Sequence, residues 1–328
     1  MRKSFSVLTT IVFGSYVIIS TLLLKYPTLL HRKKRLKFNG VHISHRGGAF
    51  EGVENTIDTF QHAASACGTD MLHLDVQLTR DGQVVVAHED SLRRLCGCNV
   101  KISELRYQDL PPLMPVIDVD FMSGVSCLNS PMERRQIPLL REVFERFPQT
   151  PMMIDIKRNE DELIEQVFEL IVTFGRQDIT VWGSISDVVT QKCFKMEPSI
   201  PIIFSAPRVG WLIFAAWSGL LPFLPIEESC LSVFHPRAQE NNRYFRDAAG
   251  VNPAYWFFLL AIDLLLMRPF IFNHLRRRGI QVYLWVINDR QTFDRCFELG
   301  ATGVMTDCPT LLRSYLSEHP HITSSREL

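Results

Sequence analysis

Apolar and polar positions in this chain change rhythm near residue 40. Before it, residues 5–24 are 20 consecutive positions without a charge, the length of a membrane-spanning helix. After it, short apolar runs alternate with stretches of helical period. The runs at 41–44, 71–75, 152–156, 179–183, 200–205, 231–234, 280–287 and 303–306 read as eight strands. Between them, Ile57, Phe60, Ala63, Ala64 and Cys67 form one helical face behind an Asn55 cap. Residues 139–147 give another helix. Leu163, Ile164, Val167, Phe168, Leu170, Ile171 and Phe174 line a third, stopped by Gly175. Later helices end at the basic Arg276-Arg277-Arg278-Gly279, run over 290–299 to Gly300, and start at Pro309. Strands alternating with helices in this number predict a TIM-type (β/α)8 barrel over 41–316, with an irregular insertion at 91–138 and a frayed tail at 317–328.

Residues 1–40 form the remaining unit, an N-terminal anchor with a basic linker. Arg2 and Lys3 precede the apolar block; Lys25, Arg32, Lys33, Lys34, Arg35 and Lys37 follow it. That asymmetry puts the C-terminal side in the cytosol. A cleaved signal peptide is the alternative, but its apolar core is usually shorter, and no small-x-small site precedes Lys25. The run 31–37 also suits anionic headgroups, or serves as a topology signal alone. Two further apolar segments, 210–226 and 253–267, interrupt the barrel pattern. Pro222 and Pro225 break the first; the second is short and carries Asp263. They read as a loop or helical hairpin dipping into one leaflet, with Trp211, Trp217, Tyr255 and Trp256 at the headgroups. True spans and buried core are the other readings.

Composition narrows the class. The chain has 328 residues and zero formal net charge, so no global field recruits nucleic acid. Its eight cysteines show no zinc-ribbon spacing, and Cys96-Gly-Cys98 is too tight for a zinc knuckle. They read as free thiols in a reducing compartment, consistent with the cytosolic side.

Candidate chemistry concentrates at 71–90. Asp81-Gly82 is a preferred two-residue hairpin turn, and a turn centred there sets Asp75 opposite His88. His73 projects on the same side as Asp75. Solvated charges on a hairpin face would look similar. A second cluster, His45-Arg46-Gly47-Gly48 followed by Glu54-Asn55-Thr56, favours a site. His45, Asp75, Asp155, Trp285 and Asp307 all fall at or near the C-terminal ends of predicted strands, where barrel active sites form.

Taken together, these motifs resemble the glycerophosphodiester phosphodiesterase family. The resemblance runs from about residue 41 to 316 and includes Leu74-Asp75-Val76, Leu78-Thr79-Arg80-Asp81-Gly82, Val84-Val85-Val86-Ala87-His88, Asp155-Ile156-Lys157, Trp285-Val286-Ile287-Asn288 and Gly300-Ala301-Thr302-Gly303-Val304-Met305-Thr306-Asp307. The anchor and residues 220–225 resemble its membrane-bound, lysophospholipase D-type branch. The resemblance implies His45 and His88 as the acid–base pair. It makes residue 73, Asp75 and Asp155 metal ligands, with His88 a further candidate. Arg46 and Lys157 would hold the phosphate, and Trp285 would line the pocket. It implies a divalent cofactor, Mg2+ or Ca2+, and a lysophospholipid substrate such as lysophosphatidylcholine or lysophosphatidylethanolamine. The products would be lysophosphatidic acid and the free amino alcohol. The location would be an endoplasmic reticulum or perinuclear membrane.

Two departures stand out. Asp155 replaces a frequent Glu, and His73 replaces the family's Glu. An imidazole ligand suits Mn2+ or Zn2+ better than Mg2+ or Ca2+. Two alternatives follow: a glycerophosphodiesterase acting on deacylated substrates, and a catalytically silent lipid-binding or scaffold protein.

Overall fold

The structure is a computed structural model that describes residues 2–122, 124–129, 135–239, 250 and 254–324. Residues 123 and 130–134 of the insertion, the start of the second apolar segment at 253 and the tail's end at 325–328 lie outside the described residues. The described strands are β1 (His42–Ser44), β2 (Met71–Leu78), β3 (Val84–Val86), β4 (Val116–Asp118), β5 (Ser126–Leu128), β6 (Met152–Ile156), β7 (Thr180–Gly183), β8 (Cys230–Phe234), β9 (Gln281–Trp285) and β10 (Gly303–Thr306).

Seven of them pair side by side in the order β7-β6-β2-β1-β10-β9-β8, with every neighbouring pair parallel. The gap between β7 and β8 is where the fifth predicted strand belongs. Residues 200–205 fill it only with two isolated bridges, Trp182 to Ile202 and Ile203 to Cys230. Pro201 has no N–H for a ladder, and a helix already starts at Ala206. One interior layer spans all eight positions of this nearly closed ring. Ile43, Met71, Met153, Val181, Ile203, Cys230, Tyr283 and Met305 pack together, one from each position around the barrel. Helices cover the outside. Asp161–Thr173 buries Leu163, Ile164, Val167 and Ile171, as its period predicts.

Three local expectations are corrected. Thr56 rather than Asn55 caps the helix Ile57–Gln61, its hydroxyl accepting from the Thr59 N–H. Asn55 instead sits at φ 57°, outside the helix. The hairpin loop is longer than two residues: the Thr79 N–H bonds the Gln83 carbonyl, and only Gly82 among Arg80, Asp81 and Gly82 has a positive φ. That is the three-residue loop with glycine in the left-handed position. Asp81 is held by Thr79 Oγ1 and the Tyr107 N–H. The extra residue shifts the register by one, so Ala87 and not His88 faces Asp75. The tail is not frayed throughout, since Pro320–Ser324 is helical and Ile322 is buried.

The insertion has its own apolar core, including Leu92, Leu95, Ile102, Leu113, Ile117 and Phe121, and it carries the β4–β5 hairpin. The N-terminal helix Arg2–Lys25 lies against the first apolar segment. The Tyr16 hydroxyl donates to the Ser218 carbonyl at 2.6 Å, and the Ser20 hydroxyl to the Gly219 carbonyl at 2.7 Å. Trp217 Nε1 donates to the Leu265 carbonyl, tying the helix Ala206–Trp217 to the helix Ala254–Leu265. Trp211 is partly buried against the barrel's core, with the Arg208 guanidinium over its ring. Among the described residues no single helix is long and apolar enough to cross a membrane. Thr9–Lys25 is apolar but shorter, and Ala254–Leu265 with Pro269–Arg277 meets the length only as a pair bent by 57°.

Candidate active site

The C-terminal ends of β1, β2 and β6 converge on one rim. There His73, Asp75 and Asp155 bring three ligand atoms within 4.8 Å of one another. Their positions follow from strand register: β2 and β6 pair in parallel with His73 beside Met153 and Asp75 beside Asp155. His73 and Asp75 sit two residues apart on one strand, so they share a face.

His73 Nδ1 and Asp155 Oδ1 are buried without a hydrogen-bond partner. Orphaned acceptors gathered at one point fit a divalent cation. Burial pushes the His73 imidazole well below its ordinary value, against the pull of Asp75, which keeps it in the neutral form a metal needs. The site's own cation lies beside the same carboxylates. Lys157 Nζ is 2.6 Å from Asp155 Oδ2 and 2.9 Å from Asp75 Oδ1. Burial would lower the Lys157 ammonium, but Asp155 and Asp75 hold it raised. Burial would likewise raise Asp75; Lys157 and Arg46 override it and hold the carboxyl well below the usual carboxylate range.

Arg46 organises the centre. It occupies the tight turn after β1 at φ 51° and is 6% exposed. Its Nη1 donates to Glu54 Oε1 and to Asp120 Oδ2, both at 3.1 Å, and its Nε lies 3.1 Å from Asp75 Oδ2. Three carboxylates outweigh the burial and raise its pKa. Asn55, freed from capping by its left-handed backbone, donates to Asp75 Oδ2 at 3.1 Å.

Each proposed catalytic imidazole has a carboxylate at its Nδ1. His45 Nδ1 is 2.7 Å from Asp307 Oδ1, and Asp307 is itself fixed by Asn288 through both its side chain and its N–H. His88 Nδ1 is 3.3 Å from Asp120 Oδ2, an ion-pair distance rather than an aligned hydrogen bond. Asp120 stays ionised: burial would raise its pKa, but His88, Arg46 and Arg94 lower it. Engaging Nδ1 in this way leaves Nε2 for proton transfer. The His45 and His73 rings lie 5.1 Å apart, so the cluster and the first imidazole adjoin.

Sequence reasoning named eight residues that the structure gathers at the rim: His45, Arg46, His73, Asp75, His88, Asp155, Lys157 and Asp307. Trp285 ends β9 and packs edge-on against Phe234 at 5.9 Å. Glu54, Arg94 and Asp120 carried no prediction. Asp120 and Arg94 come from the insertion, where no periodic pattern announces a position. Glu54 stood in a quoted motif, but its two arginine partners, buried Arg46 and part-buried Arg94, emerge only from the fold.

Residues 45–311 match the model of the glycerophosphoryl diester phosphodiesterase family. Human lysophospholipase D GDPD1 is 47% identical over 313 residues, covering 95% of this chain and 97% of that protein. Human lysophospholipase D GDPD3 is 37% identical, covering 93% of this chain and 94% of the relative. Among solved structures, the glycerophosphoryl diester phosphodiesterase domain of an uncharacterized Mycobacterium tuberculosis protein superposes with a TM-score of 0.64 at 15% identity, covering 84% of this chain and 99% of that one. A phosphodiesterase from Oleispira antarctica, solved with the product sn-glycerol-3-phosphate, gives 0.57 at 20% identity, covering 85% of this chain and 97% of that one. At such identities the likeness of the solved structures speaks for the fold.

Proposed function

We infer, for a chain that belongs to the glycerophosphoryl diester phosphodiesterase family and is therefore a phosphoric diester hydrolase, that its substrate is a single-chain lysophospholipid taken from a membrane surface. One observation carries the choice of lipid over a soluble headgroup diester: an aromatic path from an exposed apolar helix to the catalytic rim. Phe258 on the helix Ala254–Leu265 is 47% exposed, lies 6.1 Å from Phe234, and Phe234 lies 5.9 Å from Trp285. Exposed Phe214, Trp217, Trp256, Phe257, Leu260 and the N-terminal Ile11, Phe13 and Ile18 enlarge the apolar surface. A surface this rich in large apolar side chains fits lipid contact. The basic residues after the N-terminal helix support a barrel held on the cytosolic side, with the helix as anchor.

A divalent cation held by His73, Asp75 and Asp155 would neutralise charge on the phosphate; the imidazole in that set favours Mn2+ or Zn2+ over Mg2+ or Ca2+. Lys157, at the edge of the same cluster and partly exposed, is placed to pair with a phosphate oxygen. Arg46 is committed to three carboxylates, so its part is to hold Asp75 and Asp120 in place and to offset their charge. His45 and His88, each oriented by its carboxylate, supply the proton transfers. One Nε2 takes the proton from the attacking hydroxyl: water gives lysophosphatidic acid directly, whereas a free glycerol hydroxyl of the lipid gives a cyclic phosphate that water then opens to lysophosphatidic acid. The other gives a proton to the leaving oxygen of choline or ethanolamine as the P–O bond breaks.

The test is product analysis of the purified full-length protein on lysophosphatidylcholine and on glycerophosphocholine. The expected result is choline and lysophosphatidic acid from the lipid, with slower release from glycerophosphocholine. Equal or faster turnover of glycerophosphocholine would overturn the lipid assignment.

A further inference from the structure

We propose that Glu51, His62 and Cys67 form a zinc site on the flank of the barrel, separate from the rim cluster. The three donor atoms already sit near three corners of a coordination tetrahedron. His62 Nε2 is 2.9 Å from Glu51 Oε2, Cys67 Sγ is 3.4 Å from His62 Nε2, and Cys67 Sγ is 4.0 Å from Glu51 Oε2. With ordinary zinc bond lengths, a tetrahedral ion separates its N and O ligands by about 3.3 Å and its sulfur from either by about 3.5 Å. Each observed separation lies within about half an ångström of those values.

The backbone explains how the sequence hides this site. His62 and Cys67 are five residues apart, and an α-helix would turn them about 140° away from each other. The stretch His62–Ala66 is instead a π-turn, and the Cys67 N–H bonds the His62 carbonyl at 3.1 Å. That wider turn brings the fifth residue back over the first, and such turns recur at functional sites. Glu51 arrives from the loop that follows His45 and Arg46. Its carboxylate is oriented by the N–H and hydroxyl of Thr310, at the start of the helix Pro309–Glu318.

The ligand chemistry selects the ion. Thiolate, imidazole and carboxylate together are a zinc set, and a sulfur ligand disfavours Mg2+ and Ca2+. Cys67 is 2% exposed while His62 is open to solvent, so an ion enters from the His62 side and keeps water at the fourth position. Binding exchanges the Cys67 S–H bond for an S–Zn bond and releases the proton to buffer. The ion would clamp three segments: the loop after His45 and Arg46, the helix at 57–66 and the first turn of the last long helix.

Cobalt substitution tests this without using activity. The metal-stripped full-length protein in detergent is titrated with Co2+ and followed by absorbance. A thiolate-to-cobalt charge-transfer band is expected, displaced by Zn2+, because the rim cluster has no thiol and is silent there. Cys67→Ser removes the band. His62→Ala, at an exposed position, weakens binding about tenfold or more. Asp75→Asn leaves the band unchanged. Absence of the band in the parent, an undiminished band in Cys67→Ser, or unaltered affinity in His62→Ala would each overturn the assignment.

Discussion

Asp307, just past the last strand of the barrel and 262 residues from His45 in sequence, sets its Oδ1 2.7 Å from Nδ1 of His45. The carboxylate fixes which imidazole nitrogen carries a proton toward it and leaves Nε2 to work on substrate. Asp307→Asn keeps the shape and loses that electrostatic role. We expect kcat to fall roughly 100-fold or more with KM nearly unchanged, since oriented acid–base catalysis contributes on that scale. Steady-state kinetics with circular dichroism as a folding control check it. A drop confined to KM would contradict the role.

Asp120 does double duty, at 3.3 Å from His88 and 3.1 Å from Arg46. Asp120→Ala takes one of three carboxylates from a buried guanidinium and should cost about 1.5–3 kcal/mol of stability. Asp120→Asn keeps a hydrogen-bond acceptor for Arg46 and should cost less in urea unfolding. Both should lower kcat, because His88 loses the carboxylate that orients it. An unaltered kcat in both would show Asp120 to be structural only.

His73→Glu adds a hard, anionic oxygen ligand to the rim cluster. Metal preference should move toward Mg2+ and Ca2+ from the Mn2+ or Zn2+ expected for the parent. Activity of metal-stripped parent and variant across the four ions decides it. Identical ion profiles would mean that residue 73 does not reach the metal.

His42 lies at the start of β1, 3% exposed, and burial pushes its imidazole down to about 4, with Arg313 adding to the shift. In the unfolded chain the same group takes a proton near 6.5. Between those values the unfolded state binds more protons, so stability is fully present above about 6.5 and falls as pH drops toward 4. The contribution at stake is at most about 3 kcal/mol. Urea midpoints across this range should fall for the parent and less for His42→Asn.

Much of the barrel was legible because its signals are local. Strands such as 152–156 and 303–306 are short apolar runs, and the helix at 161–173 has a clean period. Two errors came from competition between neighbouring local choices. Thr56 took the cap that Asn55 also could have served, and a three-residue loop replaced the two-residue turn, moving every cross-strand partner by one. The fifth strand fell short because Pro201 interrupts its ladder. At the rim, residues on strand ends could be placed by register alone. Glu54, Arg94 and Asp120 could not, because their partners are set by how the insertion folds over the barrel.

The rim cluster as the seat of cation-dependent hydrolysis is tested most directly by metal removal. Purified protein is stripped with chelator and assayed for choline release from lysophosphatidylcholine, then resupplied with Mn2+. The expected result is loss of turnover, recovery on adding the ion, and no recovery in a folded Asp75→Asn variant. Turnover that survives chelation, or that Asp75→Asn leaves intact, would contradict it.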